Sequence, residues 1–106
     1  MPLRIASQRR FRRSVTVHAD GDDQTFKVVF NALSDGELDV FETGHKSGQV
    51  ALLRAAIADI EDVVDADGAP VTYSHDLLEQ MTEYSDIRTA LLREFTLGLV
   101  GARQGN

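Results

Sequence analysis

At 106 residues, 42% of them hydrophobic and none of them cysteine, the chain fits one small globular domain without disulfides, thiolate metal sites or a thiol nucleophile. Seventeen acidic against eleven basic residues give a net charge of −6, unevenly spread: Arg4, Arg9, Arg10, Arg12 and Arg13 all precede the first acid, Asp20. The remaining six basic residues face all seventeen acids from residue 14 onward, a net −11 that repels phosphate backbones and argues against nucleic acid as a partner of the folded body.

Residues 1–10 read as a flexible basic arm, and residues 11–106 as a single domain. From Phe11 the pattern alternates, with Val15, Val17 and Ala19 on one face and Ser14, Thr16 and His18 on the other. After Asp20-Gly21-Asp22-Asp23 it resumes, Phe26, Val28 and Phe30 opposing Thr25, Lys27 and Val29. Two period-two runs around an Asp-Gly turn predict an antiparallel β-hairpin over 11–32 with one buried face. Helices are expected to fill 34–103. Ser34 with Glu37 three residues on forms a capping box for a short helix that Gly44 would end. A longer helix from about Ser47 to Asp62 follows from Val50, Leu53, Ile57, Ile60 and Val64 at spacings of three and four, with Ala51, Ala55 and Ala58 as helix formers. Gly44 and Gly48 read as glycines of helix boundaries. Asp67-Gly68 and Pro70 stop the helix. Ser74 then caps a third helix carrying Leu77, Leu78 and Met81, and Ser85 with Asp86 opens a fourth through Ile87, Leu91, Phe95 and Leu99. Two strands followed by four helices predict an α+β domain, the hairpin standing alone or within a small sheet.

The acidic turn invites a calcium reading, which counting rejects. An EF-hand loop needs oxygen ligands at positions 1, 3 and 5, glycine at 6 and a bidentate Glu at 12. With Gly68 at position 6, Asp65 and Asp67 fall correctly, but Val63 stands at position 1 and Ser74 at position 12. A solvated turn whose Asp side chains satisfy local backbone N–H groups is the expectation instead. His18, His45 and His75 lack metal-ligand spacing, and neither a Gly-rich phosphate loop nor a Gly-x-Ser-x-Gly elbow is present. No metal, no cofactor and no enzymatic activity are therefore expected. No apolar run approaches the ~20 residues of a membrane span, and the N-terminal residues lack a signal peptide's hydrophobic block, so a soluble, cytoplasmic protein is expected.

The stretch Ile57-Ala58-Asp59-Ile60-Glu61-Asp62-Val63-Val64-Asp65-Ala66-Asp67-Gly68-Ala69-Pro70-Val71-Thr72-Tyr73-Ser74 is followed by Leu77-Leu78 and by a helix running into Gly101-Ala102-Arg103-Gln104-Gly105-Asn106. Over about residues 50–106 this resembles the tail-assembly chaperones of long-tailed phages and prophages. Their pattern has an aromatic residue, Asp-x-Asp-Gly-x-Pro, an extended hydrophobic-polar-aromatic step and a Ser-capped helix. Ile60 stands where that pattern has an aromatic, Glu61-Asp62 where it has smaller residues, and the Arg-Gln-Gly-Asn ending lacks its lysine. The resemblance implies a non-catalytic protein of the bacterial cytoplasm that self-associates and binds the tape-measure protein, a long hydrophobic-rich helical chain, keeping it soluble until the tail tube replaces the chaperone. Val50, Leu53, Ile57 and Ile60 are the candidate lining of a groove for partner helices; a stripe of this kind also suits the domain's own core. Two alternatives stand beside this reading: a small nucleic-acid-associated or regulatory protein acting through the arginine arm, and another structural component of the tail.

Overall fold

The computed structural model describes residues 2–3, 9–19 and 21–103. Among these residues the fold is α+β, with three antiparallel strands in the order β1-β2-β3 and four helices. β1 (Arg10–Ala19) and β2 (Asp22–Asn31) form the expected hairpin, in unbroken register from Arg10 opposite Asn31 to Ala19 opposite Asp22. Gly21 turns at φ +80°, a conformation glycine adopts without steric penalty. Val15, Val17, Phe26, Val28 and Phe30 are buried on one face, as the alternation requires. The opposite face is polar. There Thr16 and Thr25 share a 2.9 Å hydroxyl hydrogen bond, His18 pairs with Asp23, and Arg12 reaches Glu61 at 3.4 Å.

Most of the expected basic arm lies outside the described residues. Its end belongs to the sheet: Arg10 opens β1, and the Arg9 carbonyl accepts from Ala32 N–H at 2.7 Å.

Helix α1 (Asp35–Leu38) is a single turn held by both halves of the capping box. Ser34 Oγ accepts from Glu37 N–H at 3.2 Å, and Glu37 Oε1 accepts from Ser34 N–H at 2.9 Å. The Ser34 backbone N–H, then its hydroxyl, hold the Glu37 carboxyl below its ordinary value. Because the folded-state value is depressed, this support is present above the ordinary carboxylate range and is lost as pH falls through the folded value. The helix ends at Leu38, well before Gly44.

Helix α2 (Lys46–Ala56) departs from the sequence expectation at its far end. It stops at Ala56, and Ile57–Glu61 is strand β3, paired antiparallel to β2. The expected helix to Asp62 is corrected by a β-bulge. Val29 faces Asp59 and Phe30 faces Ile57, so Ala58 is the extra residue. A regular strand would place residues three apart on opposite faces. The bulge brings both Ile57 and Ile60 to the core side, and both are buried. Their spacing of three imitates a helix while serving a strand. The Asn31 amide marks the changeover, donating to the Ala55 carbonyl at 3.1 Å near the helix end.

Helix α3 (His75–Thr82) is capped by Ser74, whose hydroxyl accepts from Leu77 N–H at 3.1 Å, and α4 (Ser85–Arg103) starts at the expected serine. α4 lies along β1 in the opposite direction: Phe11 meets Gly98, and Arg13 meets Glu94. A β-carbon at Gly98 would stand 2.2 Å from the Phe11 ring, so the helix comes this close only because position 98 has no side chain. Phe11, Phe30 and Phe95 stack into one aromatic cluster with centroids 5.3–6.1 Å apart. α2 packs against β2, β3 and α4, and α3 closes against α2 and α4, giving a helical layer over one face of the sheet.

Candidate partner-binding surfaces

The four residues nominated from the apolar stripe have different fates. Leu53, Ile57 and Ile60 are buried in the domain's own core, the last two on β3. Only Val50 reaches an open groove, between α2 and α3, where its neighbours are Asp76, Glu79, Gln80 and Glu83. Two ion pairs bridge the helices there, Lys46 to Glu83 at 2.9 Å and Arg54 to Glu79 at 2.6 Å. This groove is acidic and cross-linked, unsuited to an apolar helix.

An apolar groove lies elsewhere. It is formed by Val17 and Phe26 near the hairpin tip, Val63 and Val64 beyond β3, and Met81 and Ile87 from α3 and α4, enclosing about 530 Å³. Asp62 and Asp65 stand on its rim, and Val64 is 57% exposed beside it. No helical periodicity announces this site, because its walls come from five separate elements. What sequence did offer was Val63-Val64 directly before the acidic turn.

That turn is now defined atom by atom. Asp65 Oδ1 accepts from Asp67 N–H at 2.9 Å and from Ala69 N–H at 3.0 Å, while Gly68 N–H bonds the Asp65 carbonyl at 3.0 Å. Gly68 takes φ +83°, where a side chain would be strained. Val64 and Pro70 bridge across the loop, and Val71 N–H reaches Val63 O at 2.9 Å. The carboxylate of Asp65 is thus committed to the backbone, in the Asx-turn manner expected of it. The turn joins a strand to a helix, β3 to α3, rather than two helices. Among the described residues, no group of three or more His, Asp or Glu side chains is placed to hold a metal ion.

Behind the turn, Tyr73 packs against the core with its hydroxyl buried and, among the described residues, without a hydrogen-bond partner. Burial pushes the phenol up; the Arg54 guanidinium opposes the shift, and the Asp59 carboxylate adds to it.

The arginines of β1 are engaged in the fold. Arg13 donates through Nε and Nη2 to Glu94 Oε1 at 3.1 and 2.8 Å, a partly buried pair, while Arg10 Nε donates to Asn31 Oδ1 at 3.2 Å. Arg88 ties the helices together, donating to Gln49 Oε1 at 3.0 Å and to the Thr82 carbonyl at 2.7 Å. Neither Glu94 nor Arg88 carried a sequence signal, since their partners lie far away along the chain. Among the described residues no helix is long and apolar enough to cross a membrane. No family model, curated protein or solved structure matches the chain.

Proposed function

We propose that the chain is a tail-assembly chaperone of a long-tailed phage or prophage, a non-catalytic protein of the bacterial cytoplasm that binds the tape-measure protein and keeps it soluble. The observation that carries this reading is a coincidence of place. The segment resembling that family, Ile57–Ser74, also supplies Val63 and Val64, one wall of the apolar groove. A groove of about 530 Å³ suits a few apolar side chains from one face of a partner helix. The acidic body, net −11 from residue 14 on, keeps such a complex dispersed by charge repulsion. Shallow apolar docking with an acidic rim favours a reversible, stoichiometric complex that a later partner displaces. Arg10, Arg12 and Arg13, held by Asn31, Glu61 and Glu94, give the nucleic-acid alternative less support.

Co-expression with helical fragments of a tape-measure protein tests the reading. Soluble fragment and a co-purifying complex are expected with the parent chain. Val64→Glu should lose both while keeping the parent's circular dichroism, because Val64 is exposed and its backbone bridge to Pro70 does not use the side chain. Failure of every fragment to gain solubility would sink the proposal.

A further inference from the structure

The sheet has two edges, and β1 is the open one. Ala32 N–H bonds Arg9 O, which makes residues 9 and 32 a hydrogen-bonded pair in the antiparallel register. Bonded and non-bonded pairs alternate, and the register is unbroken from Arg10 to Ala19. The odd-numbered residues of β1 therefore spend their backbone groups on β2. Arg10, Arg12, Ser14, Thr16 and His18 turn their N–H and C=O groups outward. Among the described residues nothing pairs with this edge, since β1 has β2 as its one neighbour in the sheet.

The edge is bordered by a groove. Thr16, Val17 and His18 form one bank, and the flank of α4 forms the other, through Ser85, Asp86, Thr89, Ala90 and Arg93, around about 420 Å³. Along α4 the row Asp86, Ala90, Arg93 and Leu97 follows spacings of four, three and four, so it holds to one side of the helix. α4 runs opposite to β1, so the row continues beside the strand from the hairpin tip toward Phe11, where Leu97 is half exposed. A strand edge facing a helix flank across a narrow groove is the arrangement in which an extended peptide adds to a sheet.

Charge and size narrow the occupant. Four of the eleven basic residues, Arg9, Arg10, Arg12 and Arg13, fall within five positions at one end of this edge, on a body that is otherwise strongly acidic; Arg13 is turned inward to Glu94, and Arg12 shares its charge with Glu61 at 3.4 Å. Arg10 and Arg12 project on the open face of the sheet, exposed. An added strand would lay alternate side chains beside them and the intervening ones against Ala90 and Leu97. We propose that the β1 edge is a strand-acceptor site for an extended segment of a partner polypeptide that alternates acidic residues, toward the open face, with small or apolar residues, toward α4. This site meets the apolar groove at Val17 but does not rest on the chaperone reading.

The test uses the full chain and a monomeric peptide of about seven residues, a usual strand length, alternating glutamate with valine and alanine. Amide spectra and hydrogen exchange are followed on titration. The peptide should shift and protect the N–H groups of Arg12, Ser14 and Thr16. Replacing its glutamates by lysine should weaken binding about tenfold or more. N-methylation of the peptide amides that face β1 should abolish binding, while methylation of the alternate amides should leave it unchanged. Ser14→Pro removes the central outward N–H at a position where an edge strand tolerates proline, and should block the peptide. Should that variant not fold, the two N-methylated peptides test the same point on the unaltered protein. Equal binding by both methylated peptides, equal binding of the lysine peptide, or protection mapping away from β1 would overturn the proposal. So would concentration-dependent protection of these same amides without peptide, which would make a second copy of the chain the occupant.

Discussion

The two edges of the sheet are built to opposite ends. β1 is ten residues long, regular, and presents its outward backbone groups in sequence from Arg10 to His18. β3 is five residues long, interrupted by the bulge at Ala58, and covers itself: Asp59 Oδ1 accepts the Ile60 N–H at 2.9 Å. Directly after it, Asp62 adopts φ 66°, which ends the extended backbone. Short length, a bulge and an inserted carboxylate are devices that keep strand edges from pairing with other chains. The molecule applies all of them to β3. On β1 it uses charge alone and lays α4 alongside. The contrast teaches that one sheet can close one edge with local devices and leave the other bordered only by a helix flank and a basic strip.

The largest effect should come from separating α4 from β1. Gly98→Val would drive a branched side chain into the Phe11 ring, which is pinned between Phe30 and Phe95. A loss of about 3 kcal/mol is expected in urea unfolding. Parent-like stability would mean that Phe11 swings aside and that the helix does not depend on close contact with this strand. Glu94→Gln weakens the second tie between the same elements. Arg13 keeps a neutral acceptor and is partly solvated, so the loss should be near 1 kcal/mol, and high salt should shrink the difference from the parent. On the other side of the sheet, Asp59→Ala uncovers the Ile60 N–H. Its stability should change by less than about 1 kcal/mol, but sedimentation should reveal association beyond that of the parent. Asp59→Asn retains the acceptor and should sediment like the parent; if both variants do, β3 is closed by something other than this carboxylate. Tyr73→Phe is the mildest change. It removes a buried hydroxyl that has no hydrogen-bond partner among the described residues, and a gain of up to about 1 kcal/mol in unfolding free energy is expected.

Much of this fold was legible where the signal is local. The hairpin followed from period-two alternation around Asp-Gly, and the helix starts at Ser34 and Ser74 followed from short-range capping, while Ser85 is the first residue of α4 itself. The third strand was hidden for a physical reason. A bulge at Ala58 allows Ile57 and Ile60 to share a face at a spacing of three, and that spacing completes a helical stripe begun by Val50 and Leu53. Gly48 was likewise underread as a boundary glycine. It sits inside the first turn of α2, where a β-carbon would stand 1.8 Å from the Glu42 carbonyl oxygen. The candidate surfaces were the least legible. Each is assembled from segments far apart in the chain, and the stripe that looked like a groove lining went mostly into the core.

The tie between Arg13 and Glu94 spans 81 positions, and with it comes a constraint on timing. The hairpin can close as soon as residue 31 is available, and β3 and α2 can follow against β2, yet β1 waits for α4, whose Phe95 packs on Phe11 and Phe30. During synthesis, at roughly 5–20 residues per second, that leaves the apolar face of β1 waiting for several seconds, alongside its open edge. Arrival of α4 therefore completes the cover of β1, the strand it packs against.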